Sequence, residues 1–235
     1  MLAAFRAAML IAALVTGCTV LRPTGRLRVT RRTAELGDAE RVTVNLEMSA
    51  GELKIDSGSD ILMEGEFRYN VAAWEPVAEY QVTDAQGELT IRQPDIGDVR
   101  LGNYIYEWDL RFAEDVPMAM NVQLGAGRSR IDVADLDLIA LAVNAGAGET
   151  TLNLSRAWAD DLDVSLRGVV GEAIVYLPAA VSVRVAVEGG LGDVETMGLT
   201  QQDGAYVNAA YDGGDATLEL TVEGGIGQIS LEVVE

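Results

Sequence analysis

The sequence predicts an all-β protein, a single-domain β-solenoid in which stacked strands meet at glycine-rich corners. Three observations predict this fold. A corner of small residues followed by β-formers, as in Gly125-Ala126-Gly127 before Ile131, recurs along the chain. Long stretches alternate apolar and polar residues, which is the pattern of half-buried strands. The chain has 235 residues of which 49% are hydrophobic, enough for one sizeable core.

The repeat is defined by the last glycine of each corner. An apolar residue stands five positions before it and a β-former four positions after it. The glycines at 127, 148, 171 and 192 are 21, 23 and 21 residues apart, a spacing typical of one solenoid coil. We therefore expect coils that pair in parallel, structural glycines at the corners and equivalent interior positions for the apolar residues. The copies are Leu46/Gly51/Ile55, Val122/Gly127/Ile131, Val143/Gly148/Leu152, Leu166/Gly171/Val175, Val187/Gly192/Thr196 and Val222/Gly227/Leu231, with a weaker seventh at Val82/Gly87/Ile91.

The first 17 residues predict a signal peptide ahead of the folded domain. A short segment with one arginine precedes an apolar run at residues 7–15, and Cys18 follows Gly17. Cys18 stands where a bacterial lipobox has its lipidated cysteine, which implies cleavage before it and a lipid on its sulfur. It is the only cysteine, so an internal disulfide is excluded. An ordinary signal peptide or an uncleaved anchor is the alternative, although the apolar run is short for a membrane span.

Charge divides the rest of the chain into two regions. Residues 18–41 are rich in arginine and predict a lipid-anchored basic tether that leads into an edge strand. Residues 42–235 predict the β-solenoid domain and hold 10 basic and 34 acidic residues, a net charge of 10 − 34 = −24. An acidic surface is unsuited to phosphate contacts, so nucleic-acid binding is excluded. The expected partners are the membrane, through Cys18, and an envelope protein or cell-wall polymer.

The elements of the domain follow from local patterns. Residues 42–48 alternate strictly and predict a strand that continues beyond the corner at Gly51. Residues 61–70 predict the next strand, with Phe67 and Tyr69 on one side. Near the other end, Asp203-Gly204 is a turn signal.

Aromatic residues are concentrated in residues 67–112, which hold eight of the twelve aromatic residues that follow the signal peptide. Tyr104, Tyr106 and Trp108 alternate along a predicted strand, and Trp74 precedes them. These four rings are a candidate binding face, because ring faces stack on the apolar faces of sugars. The alternative is that the large rings fill the core where the repeat is irregular.

Several kinds of chemistry are excluded by composition. The sequence has no histidine, which excludes histidine-dependent triads and general bases. We expect no cofactor, no catalytic residues and no metal centre. Asp160, Asp161 and Asp163, or Asp135 and Asp137, could supply oxygen ligands to a weak calcium site, but 37 acidic residues produce such clusters by chance. A carboxylate pair for polysaccharide cleavage cannot be selected from the sequence.

An ordered set of motifs resembles the bacterial toast-rack domains. These motifs are residues 47–55, residues 63–70, Glu107 to Leu110 together with Asp115-Val116-Pro117, and Gly125-Ala126-Gly127. The chain is also similar to the C-terminal domain of LiaF-like cell-envelope stress proteins. The resemblance covers residues 42–235 and implies a solenoid-like β fold at the bacterial envelope, with a link to envelope stress. It brings no catalytic residues.

The predicted function is that of a non-enzymatic cell-envelope lipoprotein whose acidic solenoid contacts a protein or polymer partner. The alternative is a carbohydrate-binding or cell-wall-binding module that uses the aromatic face. A third hypothesis is a carboxylate-dependent enzyme acting on polysaccharides.

Overall fold

The computed structural model describes residues 25–95, 103–215 and 217–235, so the predicted signal peptide and Cys18 lie outside the described residues. Apart from one turn of 3-10 helix at Ala72–Trp74, the regular structure described is β. Among these residues, no helix is long and apolar enough to cross a membrane. The strands are β1 (Arg28–Ala34), β2 (Arg41–Ser57), β3 (Met63–Tyr69), β4 (Val77–Thr83), β5 (Gln86–Arg92), β6 (Tyr106–Phe112), β7 (Met118–Asp132), β8 (Leu138–Asn144), β9 (Ala147–Asn153), β10 (Leu162–Pro178), β11 (Val183–Glu188), β12 (Leu191–Met197), β13 (Thr200–Gln202), β14 (Ala205–Val207) and β15 (Leu218–Val234).

The fifteen strands form one sheet that is folded along a crease. The long strands β2, β7, β10 and β15 each run through a corner glycine. The corners at Gly148 and Gly192 instead follow short breaks, one between β8 and β9 and one between β11 and β12. In β2 the buried residues Val44 and Leu46 have even numbers, whereas Leu53 and Ile55 beyond the corner have odd numbers. Because side chains alternate along a strand, the corner inserts one residue that keeps both halves facing the same core.

The crease divides the sheet into two walls. We call the half before the corner glycines wall 1 and the half after them wall 2. Wall 1 has ten strands in the order β4, β5, β2, β7, β8, β10, β15, β11, β14 and β13. Wall 2 has nine strands in the order β1, β3, β6, β2, β7, β9, β10, β15 and β12.

The predicted parallel stack of coils is confirmed, and so are the equivalent interior positions. The residues five before each corner glycine lie level with one another across six strands, and all are buried except Val187, which is half-buried near the end of the stack. In spatial order they are Leu46, Val122, Val143, Leu166, Val222 and Val187.

The order of the last coils differs from the sequence order. The C-terminal strand β15 lies between β10 and β11, so Gly227 separates Gly171 from Gly192. This insertion pairs the long strand β15 on both sides and leaves the shorter β12 at the edge of wall 2. The seven residues of β12 expose fewer unpaired backbone groups at this edge than the seventeen residues of β15 would.

The seventh repeat copy was a wrong prediction. Ile91 rather than Val82 lies level with Leu46, and Gly87 lies level with Val42, away from the crease. A Cβ atom on Gly87 would lie 2.6 Å from the hydroxyl oxygen of Tyr80. Glycine is needed there because the Tyr80 ring packs against the strand.

The folded part also begins earlier than the predicted boundary at residue 42. Strand β1 pairs antiparallel with β3 and forms an edge of wall 2. This agrees with the prediction that the basic segment leads into an edge strand. Residues 28–34 therefore belong to the sheet and not to a tether. The predicted strand at residues 61–70 is confirmed as β3, and the turn at Asp203-Gly204 is confirmed by positive φ angles of 49° and 82°.

Candidate binding groove at the glycine ladder

The crease is a ladder of glycines in direct register. In spatial order it contains Gly51, Gly127, Gly148, Gly171, Gly227 and Gly192. A Cβ atom on Gly127 would lie 1.8 Å from the carbonyl oxygen of Gly51, and one on Gly148 would lie 1.8 Å from that of Gly127. Their φ angles of 137° and 139° are also unfavourable for other residues. The ladder therefore requires glycine for steric and conformational reasons, and it leaves a bare backbone surface on the outside.

Trp108 does not present a ring to solvent. Its side chain is 1% exposed and meets Phe67 edge to face, with ring centroids 5.6 Å apart. Strand β6 lies between β2 and β3, so its alternate residues Tyr106, Trp108 and Leu110 complete the inner face of wall 2. The predicted aromatic platform is corrected in this respect, because the middle of that strand faces the core.

Three of the four predicted rings do come together at the end of the glycine ladder. The 3-10 helix places the Trp74 ring 4.9 Å from that of Tyr104 and 5.9 Å from that of Tyr106. Trp74 and Tyr106 are buried, and Tyr104 is half-buried. Tyr104 is therefore the ring of this cluster that a ligand can reach most easily.

These rings line one side of an open groove of about 670 Å³, which we call the corner groove. Its floor is the bare backbone of the glycine ladder and the adjoining Ala50, and charged side chains form its rim. The lining residues are Ala50, Gly51, Glu52, Trp74, Gln93, Tyr104, Ile105, Tyr106, Glu107, Gly127, Arg128, Gly148 and Glu149.

Arg128 is the cation of the groove rim. Its Nε donates to a Glu149 carboxylate oxygen at 2.8 Å, and a Glu52 oxygen lies 3.9 Å from its guanidinium. The hydrogen bond from Arg128 to Glu149, together with the charges of Glu149 and Glu52, raises the pKa of Arg128. The side chain is exposed, so Arg128 remains accessible to a ligand while its direction is fixed by the two carboxylates.

Two buried donors of the groove have no hydrogen-bond partner among the described residues. The Gln93 oxygen accepts from the backbone N–H groups of Ser49 at 2.7 Å and Ala50 at 3.1 Å, but its Nε2 is unpartnered. The Tyr106 hydroxyl is also unpartnered. Burial raises the pKa of Tyr106 above its ordinary value. Its phenol is protonated at neutral pH, as that of any ordinary tyrosine is, and can donate a hydrogen bond. Gln93 was missed by sequence reasoning, because a lone glutamine at the end of a strand gives no signal.

The groove combines aromatic rings, amide and hydroxyl donors, and a cation flanked by carboxylates. This set suits non-covalent contact with hydroxyl-rich or amide-rich molecules. Within the described ranges, no three His, Cys, Asp or Glu side chains are placed to hold a metal ion, so the aspartates at 135–137 and 160–163 do not assemble such a group.

Comparisons with known proteins agree with this architecture. The family model for the N-terminal domain of toast_rack (DUF2154) matches residues 24–176. The crystal structure of a candidate cell adhesion protein from Clostridium sporogenes is similar, with a TM-score of 0.82 and 30% identity over 89% of this chain and 100% of that chain. A candidate adhesin from Bacteroides fragilis aligns over 89% of this chain and 98% of its own, with 11% identity and a TM-score of 0.32. Curated proteins give no match. The match to the family model covers more than half of the sequence, and the chain therefore belongs to the toast-rack family.

Proposed function

We propose that this protein is a non-catalytic surface protein of the bacterial envelope that attaches to a polymer or protein partner. Similarity to the candidate cell adhesion protein of Clostridium sporogenes supports this class of function. The lipobox-like sequence before Cys18 supports a lipid anchor on the outer side of a membrane. The resemblance to LiaF-like proteins connects the same proposal to envelope stress.

The observation that carries the proposal is the open corner groove over the glycine ladder. Enzyme and cofactor sites are usually concave pockets that enclose most of a small ligand. Here the floor is exposed backbone at Gly127 and Gly148, with nothing above it in the described residues. An open floor of this kind suits a section of an extended chain, which can enter and leave the groove along its length.

An attachment assay tests this function. Beads coated with the full chain through its N-terminus should bind peptidoglycan sacculi or intact envelope fragments of the source organism. Beads coated with heat-unfolded protein should bind much less. Equal retention of both kinds of bead would reject specific attachment.

A saccharide is the favoured occupant of the groove, because Trp74 and Tyr104 stand beside the free amide donor of Gln93. Sugars combine apolar ring faces with hydroxyl groups, so they match rings next to hydrogen-bond donors. Tyr104→Ala should weaken glycan binding about tenfold, as loss of an aromatic anchor does at other recognition sites.

Tyr211→Ala is the matched control, since it removes a half-buried tyrosine that does not line the groove. A glycan array and a sacculus pull-down read out both variants. If they bind alike, the groove is not the saccharide site, although the attachment function could still stand on another surface.

A further inference from the structure

The two ends of the folded sheet are stepped. At the C-terminal end, wall 1 continues beyond β15 with three strands, β11, β14 and β13, whereas wall 2 continues with β12 alone. At the other end, wall 2 extends beyond β2 with three strands, β6, β3 and β1, and wall 1 with two, β5 and β4. Wall 2 is therefore recessed at one end of the molecule and protrudes at the other.

Strands β12 and β1 are the two edges of wall 2 in the described part of the chain. β12 pairs with β15, and β1 pairs with β3. β12 runs parallel to the long strands, and two successive antiparallel steps from β6 bring β1 back to that same direction. If a second copy is displaced along the stack in the same orientation, its β1 runs parallel to β12 of the first copy. The long strands within each molecule pair in the same parallel way.

The register of the sheet sets the level of each side chain on these edges. Arg31 on β1 lies level with Glu66, Asp109 and Lys54. The same row continues across β7, β9, β10 and β15 and ends at Glu195 on β12. Arg31 and Glu195 therefore occupy the same level on the outer face, at opposite ends of one row.

The charges of the two edges are complementary. On the outer face, β1 carries Arg31, and β12 carries Asp193 and Glu195. Pairing β1 with β1 or β12 with β12 would bring like charges together, which is unfavourable. Pairing β1 with β12 brings opposite charges together, so charge selects the head-to-tail arrangement.

The same outer row is already stabilised by ion pairs within the molecule. Arg31 contacts Glu66 at 2.7 Å, and Lys54 contacts Asp109 at 3.7 Å. The Arg31 side chain is 79% exposed, so its remaining donors can reach a second carboxylate. Glu195 of a second copy would place a carboxylate on the free side of Arg31, opposite Glu66.

We propose that β12 of one molecule pairs in parallel with β1 of a second copy, with Glu195 beside Arg31. This is β-sheet augmentation, in which backbone hydrogen bonds supply the contact and side chains fix the register. The contact joins two different surfaces, so it does not close at a dimer and generates an open chain of molecules.

The unequal walls also define the shape of such a chain. Wall 1 has one strand more than wall 2, and a strand occupies about 4.8 Å while packed sheets lie about 10 Å apart. Joining wall 2 to wall 2 therefore tilts each copy by about 25° relative to the last. The assembly should be curved.

Disulfide trapping tests the pairing. The full chain carrying Arg31→Cys and Glu195→Cys, oxidised in isolated membranes, should give a gel ladder of dimers, trimers and larger species. A mixture of the two single variants should stop at the mixed dimer. The register control, Thr33→Cys with Asp193→Cys, places the cysteines four levels apart on the same strands and should crosslink at least tenfold less.

Reversal of charge gives an independent measurement. Glu195→Arg should weaken self-association about tenfold in sedimentation experiments at low salt, and adding Arg31→Glu should restore it. Three results would overturn the proposal. They are no crosslinking of the double variant, disulfide dimers formed by either single variant alone, and equal crosslinking in the register control. A chain that remains monomeric at all concentrations would overturn it as well, and would identify the edge charges as a protection against pairing.

Discussion

The coils around the glycine ladder and the aromatic cap at residues 63–112 are stabilised in different ways. In the coils the same backbone contact recurs at each step, as between Gly51, Gly127 and Gly148. The cap depends on contacts that occur once, such as the edge-to-face pair of Phe67 and Trp108. Repetition specifies the scaffold, whereas single contacts position the rings and donors of the corner groove.

The largest expected effect is that of Gly127→Ala in the ladder. The new Cβ atom would lie 1.8 Å from the Gly51 carbonyl oxygen, and the φ angle of 137° adds strain. We expect the free energy of unfolding to fall by more than about 4 kcal/mol, measured by chemical denaturation.

Gly58→Ala is the matched control for this prediction. Gly58 also has a positive φ, 91°, but its Cβ would meet no atom within 4 Å. Its cost should be about 1 to 2 kcal/mol, from backbone strain alone. Similar losses in both variants would show that close contact between the coils is not what requires glycine.

In the cap, Trp108→Ala should lower the free energy of unfolding by about 3 to 4 kcal/mol, because it leaves a large cavity. Trp108→Phe keeps most of the ring and removes an indole N–H that has no partner among the described residues, so it should cost less than about 2 kcal/mol. Denaturation curves at one pH compare the two. A stable Trp108→Ala variant that loses glycan binding would instead place Trp108 in the binding face.

The smallest effect concerns the pH dependence of the cap. Burial raises the pKa of Tyr106 above its ordinary value, so the folded state holds this proton more tightly than the unfolded chain. The resulting stabilisation is complete below about pH 10 and is lost as pH rises further. Tyr106→Phe should therefore lose less stability than the wild type between pH 9 and 11, by up to about 1 kcal/mol. Parallel curves for the two proteins would contradict this.

The sequence predicted the coils better than the cap for a physical reason. Equivalent positions such as Val122 and Val143 repeat the same environment, so their spacing alone reveals the interior face. The place of β15 between β10 and β11 depends on long-range pairing, which spacing does not encode. The groove depends on a helical turn at Trp74 and on the orientation of Gln93, and no repeat specifies either one.

The central functional claim, an envelope protein held by a lipid on Cys18, is tested most directly by cell fractionation combined with protease treatment of intact cells. The wild-type chain should sediment with membranes. Protease should cleave it under conditions in which an intact membrane protects cytoplasmic proteins. Cys18→Ala should leave its fold unchanged but abolish lipid labelling and move the processed domain out of the membrane fraction. Membrane association and labelling that are unchanged in Cys18→Ala would contradict the account.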